Sequence, residues 1–474
     1  MEQKIIGRQV EKQILEKCYE SGKAEFVAVY GRRRIGKTYL IRNFFKDKFD
    51  FYITGIYEGT REEQLAFFNR QLNSYSSQWF PLVDNWYDAF EQLKVFLSAS
   101  KKKRKVVFID ELPWLDTQKS RFLKAFELFW NSWASTQQNL MLVVCGSATT
   151  WMTEKLLGNK GGLHNRVTQS ISLAPFSLGE TEQFIKSIGI EWDRLQIAEC
   201  YMVMGGIPYY LSKLEKGMSL SQSIDRLFFA KGAELRSEYA FLFRSLFNDS
   251  DIYKKVAETL GKKALGMTRQ EIQQALNLQD GGRLTEVLRN LQRCDFIRKY
   301  QGFGQKERGS LYQLTDLYTL FYLRFLNDDA EHDEHAWTNM VDSPLRRTWR
   351  GYAFEQVCLH HIPQIKTRLG IAGVLTNVCA WSGKTEAGSG QIDLVIDRRD
   401  NVVNLCEIKF STAPFILTKE YMLKMQTRKE LFRMSTKTRK ALHLTMVTTY
   451  GVAPGMYSGQ IQSEVMLDHL FVQQ

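Results

Sequence analysis

The sequence predicts an α/β chain of three or four domains, the first of them built on a parallel sheet. Length is one reason: 474 residues exceed what a single hydrophobic core supports, because cores stop growing near ~250–300 residues. Patterning is a second. The short apolar runs Phe26–Tyr30 and Val106–Ile109 lead directly into Gly31 and into Asp110-Glu111, as buried parallel strands do when they deliver polar groups to the C-terminal edge of a sheet. The third is the return of helix-like and strand-like runs beyond the acidic stretch NDDAEHDEH at 327–335, which marks a domain boundary.

Composition narrows the class. Apolar residues make up 44% and charged residues 24%, with no extended Pro/Gly/Ser tract, so the chain is expected to fold nearly throughout. The formal charge of +12 favours a polyanionic partner such as nucleic acid, because Lys and Arg release counterions from phosphates. Cysteines are scattered at 18, 145, 200, 294, 358, 379 and 406 without a Cys-x-x-Cys pair, which argues against a disulfide framework or zinc site. The start MEQKIIGRQVEKQ has no apolar signal region, and no apolar run approaches the ~18 residues of a membrane span. A cytoplasmic protein without a membrane partner is expected.

The first strand runs into Gly31-Arg32-Arg33-Arg34-Ile35-Gly36-Lys37-Thr38 and then into the helical pattern YLIRNFFKDK, which matches the P-loop in spelling and in context. The chemistry explains the spelling. Glycines let backbone N–H groups curl around phosphate, Lys37 neutralises the β- and γ-phosphates of ATP, and Thr38 offers its hydroxyl to Mg²⁺. Arg32, Arg33 and Arg34 either face phosphate or a partner or are solvated loop charges, the latter being the simpler reading. At the end of Val106–Ile109, Asp110 is placed to hold Mg²⁺ through water and Glu111 to polarise the water that attacks the γ-phosphate. Phe51–Thr54 is a strand-like run between these motifs, and Met141–Cys145 another that ends at Gly146-Ser147. Ser147 is either a sensor of the γ-phosphate or an ordinary strand-to-helix cap. The basic run KKKRK at 101–105 stands just before the acidic strand, where a solvated turn is needed.

With these motifs the chain resembles the archaeal-type P-loop ATPase family, a relative of the AAA+ and STAND groups. The matching stretches are GRQVEKQIL at 7–15, GRRRIGKT at 31–38, FIDELPWL at 108–115, VCGSATTWM at 144–152, LAPFS at 173–177 and GGIPYYL at 205–211. The resemblance covers most of the first 330 residues and implies an ATP-hydrolysing core. In that family a Gly-Arg pair usually precedes the last core strand, whereas Asn165 precedes Arg166 here. Arg166 is thus either an arginine finger or a surface salt-bridge residue.

After the core, LGETEQFIKSIGI, IAECYMVMGGIPYYLSKL and SLSQSIDRLFF have helical periodicity, implying a helical lid. From Ile252 to Leu314 the order is helix, helix, helix and hairpin. It resembles a winged helix-turn-helix in which Gly281-Gly282 open the third helix and residues 302–309 form the wing. Arg283, Arg289 and Arg293 are candidates for phosphate contact, although such domains also serve as protein-contact modules. YQLTDLYTLFYLRF at 312–325 is read as a packed aromatic helix. His332 and His335 are read as part of an acidic linker rather than a metal site.

The C-terminal part carries a second chemical pattern: Glu355 in GYAFEQVCLHHI, Asp393 in GQIDLVID, and Glu407 with Lys409 in NLCEIKFS. Glu355 lies on an apolar-periodic helix, and the others on strand-like runs that suit adjacent hairpin arms. Strand alternation puts Glu407 and Lys409 on one face. The set resembles the PD-(D/E)xK nuclease superfamily, a kind of domain often fused to this ATPase family. The resemblance implies that Asp393 and Glu407 bind Mg²⁺, that Glu355 completes the metal site, and that Lys409 positions water or stabilises developing charge. From Arg346 onward 17 Lys/Arg stand against 10 Asp/Glu, several of them between Lys419 and Lys440 on an expected helix.

The expected architecture is therefore a P-loop NTPase core with a parallel sheet (1–178), a helical lid (179–248), a winged helix-turn-helix (249–326), a linker (327–345) and a restriction-endonuclease-like α/β domain (346–474). The expected function is an ATP-hydrolysing switch, with ATP and Mg²⁺ as cofactors, coupled to a DNA-directed, metal-dependent nuclease-like domain. The alternatives are a non-catalytic ATP-dependent regulator of DNA or protein with a degenerate nuclease fold, and a STAND-like signalling ATPase that joins a protein partner or forms a homo-oligomer.

Overall fold

Aromatic and β-branched runs set the strands of the N-terminal part, and helices cover them. In the computed structural model, residues 5–158, 161–163, 165–247, 249–279, 281–304, 309–327, 333–385 and 388–473 are described. The chain divides into two compact units, Met1–Ala174 with Ser245–Phe247, and Pro175–Arg244 with Asn248–Gln474.

The first unit holds β1 (Glu25–Tyr30), β2 (Phe51–Thr54), β3 (Lys105–Asp110), β4 (Leu140–Gly146) and β5 (Gln169–Ser172). They form one sheet in the order β2-β3-β4-β1-β5, parallel at every pairing. β3 and β4 are buried along their whole length, as central strands covered on both faces must be. The run that separates the two motifs in sequence, β2, lies at the edge of the sheet. In space it is β4 that stands between β1 and β3, because helical crossovers let a parallel chain skip a position.

The helices Arg61–Tyr75, Trp86–Ala99 and Phe122–Ser132 bury an aromatic layer that includes Phe26, Phe51, Phe68, Trp86 and Phe126. Trp86 meets Phe122 edge-to-face at 4.9 Å, the geometry favoured by ring quadrupoles. The first of these helices starts at a reciprocal cap between Thr60 and Glu63. The KKKRK run departs from a solvated turn. Lys105 is 6% exposed and its Nζ donates to the Leu97 carbonyl at 2.7 Å, since the C-terminal end of a helix attracts a cation. Arg104 donates to the carbonyls of Lys23 and Gln138, which leaves only Lys101–Lys103 to the turn.

The second unit begins with the helices Leu178–Ser187 and Arg194–Met204. It continues with Ser250–Gly261, Arg269–Ala275 and Gly282–Arg293, and with β6 (Met267–Thr268), β7 (Ile297–Tyr300) and β8 (Leu311–Leu314). These three strands form an antiparallel sheet in the order β6-β8-β7. Residues 305–308 of the expected wing and 328–332 of the expected linker, His332 among them, lie outside the described residues. The helix Leu317–Phe325 is packed, as its aromatic pattern suggests: Phe321 contacts the rings of Phe228 and Trp337 at 5.1 and 5.2 Å.

The C-terminal part pairs the helix Pro344–His360 with β9 (Thr376–Thr385), β10 (Gly388–Arg398), β11 (Val402–Lys409), β12 (Ala441–Thr448) and β13 (Ser463–Met466). The sheet is mixed, in the order β13-β12-β11-β10-β9. β9, β10 and β11 run antiparallel, while β11, β12 and β13 run parallel. The helix Lys419–Thr436 closes a core in which Met422, Met425 and Phe432 meet Trp381, Val395 and Leu405.

Candidate nucleotide and acidic sites

Between β1 and the helix Lys37–Phe44 the chain makes a tight curl. Gly31 has φ 145°, and a Cβ there would stand 2.3 Å from the Leu173 carbonyl oxygen. Gly36 caps the helix at φ 85°, so both positions favour glycine. The curl turns the helix's free N–H groups and the positive end of its dipole toward the loop. Lys37 is 5% exposed, and its Nζ donates to the carbonyls of Gly31 and Arg32, each at 3.0 Å. Arg32 is 2% exposed, so the solvated-loop reading fails for it: the loop closes onto buried Ile35 and encloses its second residue. Arg33 and Arg34 are half-buried.

The acidic strand completes the constellation. Thr38 Oγ1 donates to Asp110 Oδ2 at 2.8 Å, and the Glu111 N–H donates to Asp110 Oδ1 at 3.0 Å. Ser147 gives both its N–H and its hydroxyl to Glu111 Oε2, each at 2.9 Å. Ser147 is not the helix cap, because Ala148 holds that position ahead of Thr149–Trp151. Burial pushes the Glu111 carboxyl upward, while Lys37 and the Ser147 donors pull it down. Cys145, which the sequence did not single out, donates its thiol to Asp110 from within β4; its place at the end of a strand-like run is the signal that points to it. Arg166 is exposed, in the turn ahead of β5.

In the C-terminal part Glu355 is half-buried and acts electrostatically on Asp393, Glu407 and Lys409, and Lys409 pairs with Glu407. Asp393 and Glu407 each lie one residue beyond the paired Leu394 and Cys406 of β10 and β11, and β10 bulges against β9 between Ile392 and Val395. Glu355 is pushed up to about 8, first by burial and next by Asp393, with Arg298 and Lys409 opposing. Gln391 donates to Asp393. Glu407 is engaged by Arg428 at 2.7 Å, by Lys409 at 3.1 Å and by the Tyr421 hydroxyl. Among the described residues, no three His, Cys, Asp or Glu side chains are gathered as a metal-holding group. Beside these residues lies a cleft of about 740 Å³ lined by Ser382, Gly390, Gln391, Lys424, Thr427 and Arg428.

Arg428 and Tyr421 escaped the sequence reading. They are seven residues apart on the helix Lys419–Thr436 and so share a face, a signal that becomes useful once β11 is known to lie beneath it. Arg298 of β7 also escaped it, because its approach to Glu355 and Asp393 is purely tertiary. Of the basic residues expected on the third middle helix, Arg283 pairs with Asp249, Arg289 is exposed and Arg293 is half-buried.

Comparison with known proteins bears on the N-terminal part and, through one relative, on most of the chain. Residues 6–214 match the family described as an ATPase domain predominantly from Archaea. An uncharacterized protein of Methanocaldococcus jannaschii is 26% identical over 413 residues, covering 86% of this chain and 87% of the relative. An uncharacterized ATP-binding protein of the same organism is 42% identical over 44 residues, 9% of this chain and 75% of that one. The Walker-type ATPase of Pyrococcus abyssi matches 68% of this chain and 96% of its own with a TM-score of 0.50 at 18% identity, a likeness of fold. Among the described residues no helix is long and apolar enough to cross a membrane. A glycine-hinged loop on a parallel sheet, an adjoining acidic strand and the match over residues 6–214 agree that this chain belongs, through its N-terminal part, to the P-loop ATPase family found predominantly in Archaea.

Proposed function

We propose that the chain is an ATP-hydrolysing switch joined to a DNA-directed, metal-dependent nuclease-like domain. One observation carries the first half: the 2.8 Å Thr38–Asp110 hydrogen bond places a hydroxyl and a carboxylate side by side, a donor pair that fits Mg²⁺. The ion would neutralise charge on the β- and γ-phosphates. Amides from Gly31 to Thr38 cradle the phosphates, and Lys37 exchanges its two carbonyl partners for phosphate oxygens. Glu111 takes the proton of the attacking water, its carboxylate oriented by Ser147. Arg166, exposed as it is, would meet the nucleotide of a neighbouring copy. Calorimetry tests this half: Mg²⁺-dependent ATP binding by the native chain should vanish in Lys37→Ala, and an absence of binding in the native chain ends the proposal.

The second half is supported by the electrostatic coupling of Glu355 to Asp393, Glu407 and Lys409. Glu355 and Asp393 repel each other, and that repulsion fits a divalent cation; Glu407 joins them only by exchanging its basic partners. Lys409 would position water or stabilise developing charge. Three helices, with β6 between the first two and the antiparallel β7 and β8 after the third, support a winged helix-turn-helix in the middle of the chain, with Arg289 and Arg293 directed to phosphates.

The engagement of Glu407 by three partners favours a second reading, a non-catalytic regulator in which ATP controls binding to DNA or protein. Mg²⁺-supplemented plasmid and single-stranded DNA separate the two. The nuclease reading expects cleavage by the native chain and none by Asp393→Ala or Lys409→Ala, while equal products from all three favour the regulator.

A further inference from the structure

The C-terminal ends of β3 and β4 lie side by side. Ile109 is the partner of Val144 across this parallel pair, so the next residues, Asp110 and Cys145, are neighbours one step further along. Side chains alternate between the faces of a sheet. Val107 and Ile109 of β3, like Leu142 and Val144 of β4, belong to the aromatic core, which puts Asp110 and Cys145 together on the opposite face. Cys145 is fully buried and is the partner of Val29 in β1 on its other side. It therefore stands between the strand that feeds the P-loop and the strand that carries the acids.

The donors on Asp110 divide between its two oxygens. The Cys145 thiol and the Glu111 N–H both reach Oδ1, while the Thr38 hydroxyl reaches Oδ2. Asp110 is 4% exposed, and a buried carboxylate needs donors to offset its lost hydration. The last torsion of an aspartate is also a broad one, so its donors decide how the carboxylate is turned. The Thr38 bond uses the hydroxyl proposed for Mg²⁺, which leaves the two donors on Oδ1 as the ones independent of the ion.

We propose that Cys145 is a positioning residue of the nucleotide site: its thiol holds Asp110 by Oδ1 and so keeps Oδ2 beside Thr38, presented to the divalent cation that accompanies ATP. This rests on the reading of Thr38 and Asp110 as the donors to Mg²⁺. No bond to sulfur is made or broken.

Calorimetry of ATP binding by the full chain, with Mg²⁺ and with the ion chelated, reads this role apart from turnover. Cys145→Ala and Cys145→Val remove the donor, the second while filling the space. Each should leave ATP affinity in chelator near the native value and raise the Mg²⁺ concentration at half-effect about tenfold, the low end of what losing an outer-shell partner costs a metal site. Cys145→Ser keeps a donor and should return close to the native value. In an Asp110→Asn background Cys145→Ala should add nothing, because the group it positions has gone. Equal losses with Mg²⁺ and in chelator, or a Cys145→Ser no better than Cys145→Val, mean that the sulfur only fills space and overturn the proposal. A native chain whose ATP binding ignores Mg²⁺ removes the reading of Thr38 and Asp110 and, with it, the role of Cys145.

Discussion

Glu111 has φ 45° and a carboxylate that burial makes more basic while Ser147 makes it more acidic. Only the ionised form of a general base accepts a proton, so the acid limb of the kcat profile follows this carboxyl. Ser147→Ala removes the hydroxyl donor and keeps the amide donor. Losing a hydrogen bond that favours the charged form raises the carboxyl further, so the acid limb moves to higher pH. ATP turnover measured across the acidic range checks this, and a limb that stays in place removes Ser147 from the mechanism. Glu111→Gln keeps the shape and the nucleotide site but cannot take the proton, so ATP binding should persist while turnover falls by about 10²-fold or more. Undiminished turnover would transfer the role of base to another group.

At the scale of elements, one imidazole ties two helices of the second unit together. His361, just past the helix Pro344–His360, holds the Val357 carbonyl through Nδ1 at 2.7 Å. Its Nε2 accepts the N–H of Leu178, the first residue of the helix Leu178–Ser187, at 3.0 Å. The carbonyl requires a proton on Nδ1 and the amide requires none on Nε2, so the ring is neutral in this fold. Burial lowers its pKa from the ordinary 6.5 to about 4. A folded value below the unfolded one means that the contribution is complete above about pH 6.5 and is lost as pH falls toward about 4, because the unfolded chain then binds the extra proton. Its ceiling is on the order of 3 kcal/mol. Urea unfolding should therefore show the native chain losing more stability than His361→Gln over that interval, and parallel curves would refute the assignment.

Such ties also mark where sequence reading stops. The strands FVAVY and VVFI, the loop and the helix of LGETEQFIKSIGI were legible because their signals are local. Spatial order was not: β2 went to the edge and β4 between β1 and β3 through crossovers that leave no local trace. Glu355, Asp393, Glu407 and Lys409 were legible as a set, whereas the partners of Glu407 and the approach of Arg298 depend on which surfaces meet. Arg32 was misjudged because charge alone says nothing about a loop that folds its own second residue inward.

At the scale of the whole chain, a switch requires that ATP and DNA bind with coupled free energies. The charge of +12 predicts DNA affinity that falls steeply with salt, but electrostatics of that kind is indifferent to nucleotide and is not a switch. Linkage supplies the sharper test: if ATP changes the affinity for a duplex by some factor, the duplex must change the affinity for ATP by the same factor. Glu111→Gln suits the measurement because it should hold ATP without consuming it. Duplex anisotropy with and without ATP, and ATP calorimetry with and without duplex, should return equal factors of roughly 5–150, the usual range for coupled sites. Lys37→Ala should bind the duplex with an unchanged salt dependence and show no nucleotide effect, because its loss lies in the loop and not in the DNA contacts. Two unequal factors would signal a third species, such as an ATP-driven oligomer that light scattering detects without DNA. Identical anisotropy with and without ATP would leave a P-loop ATPase whose output is read by a protein partner.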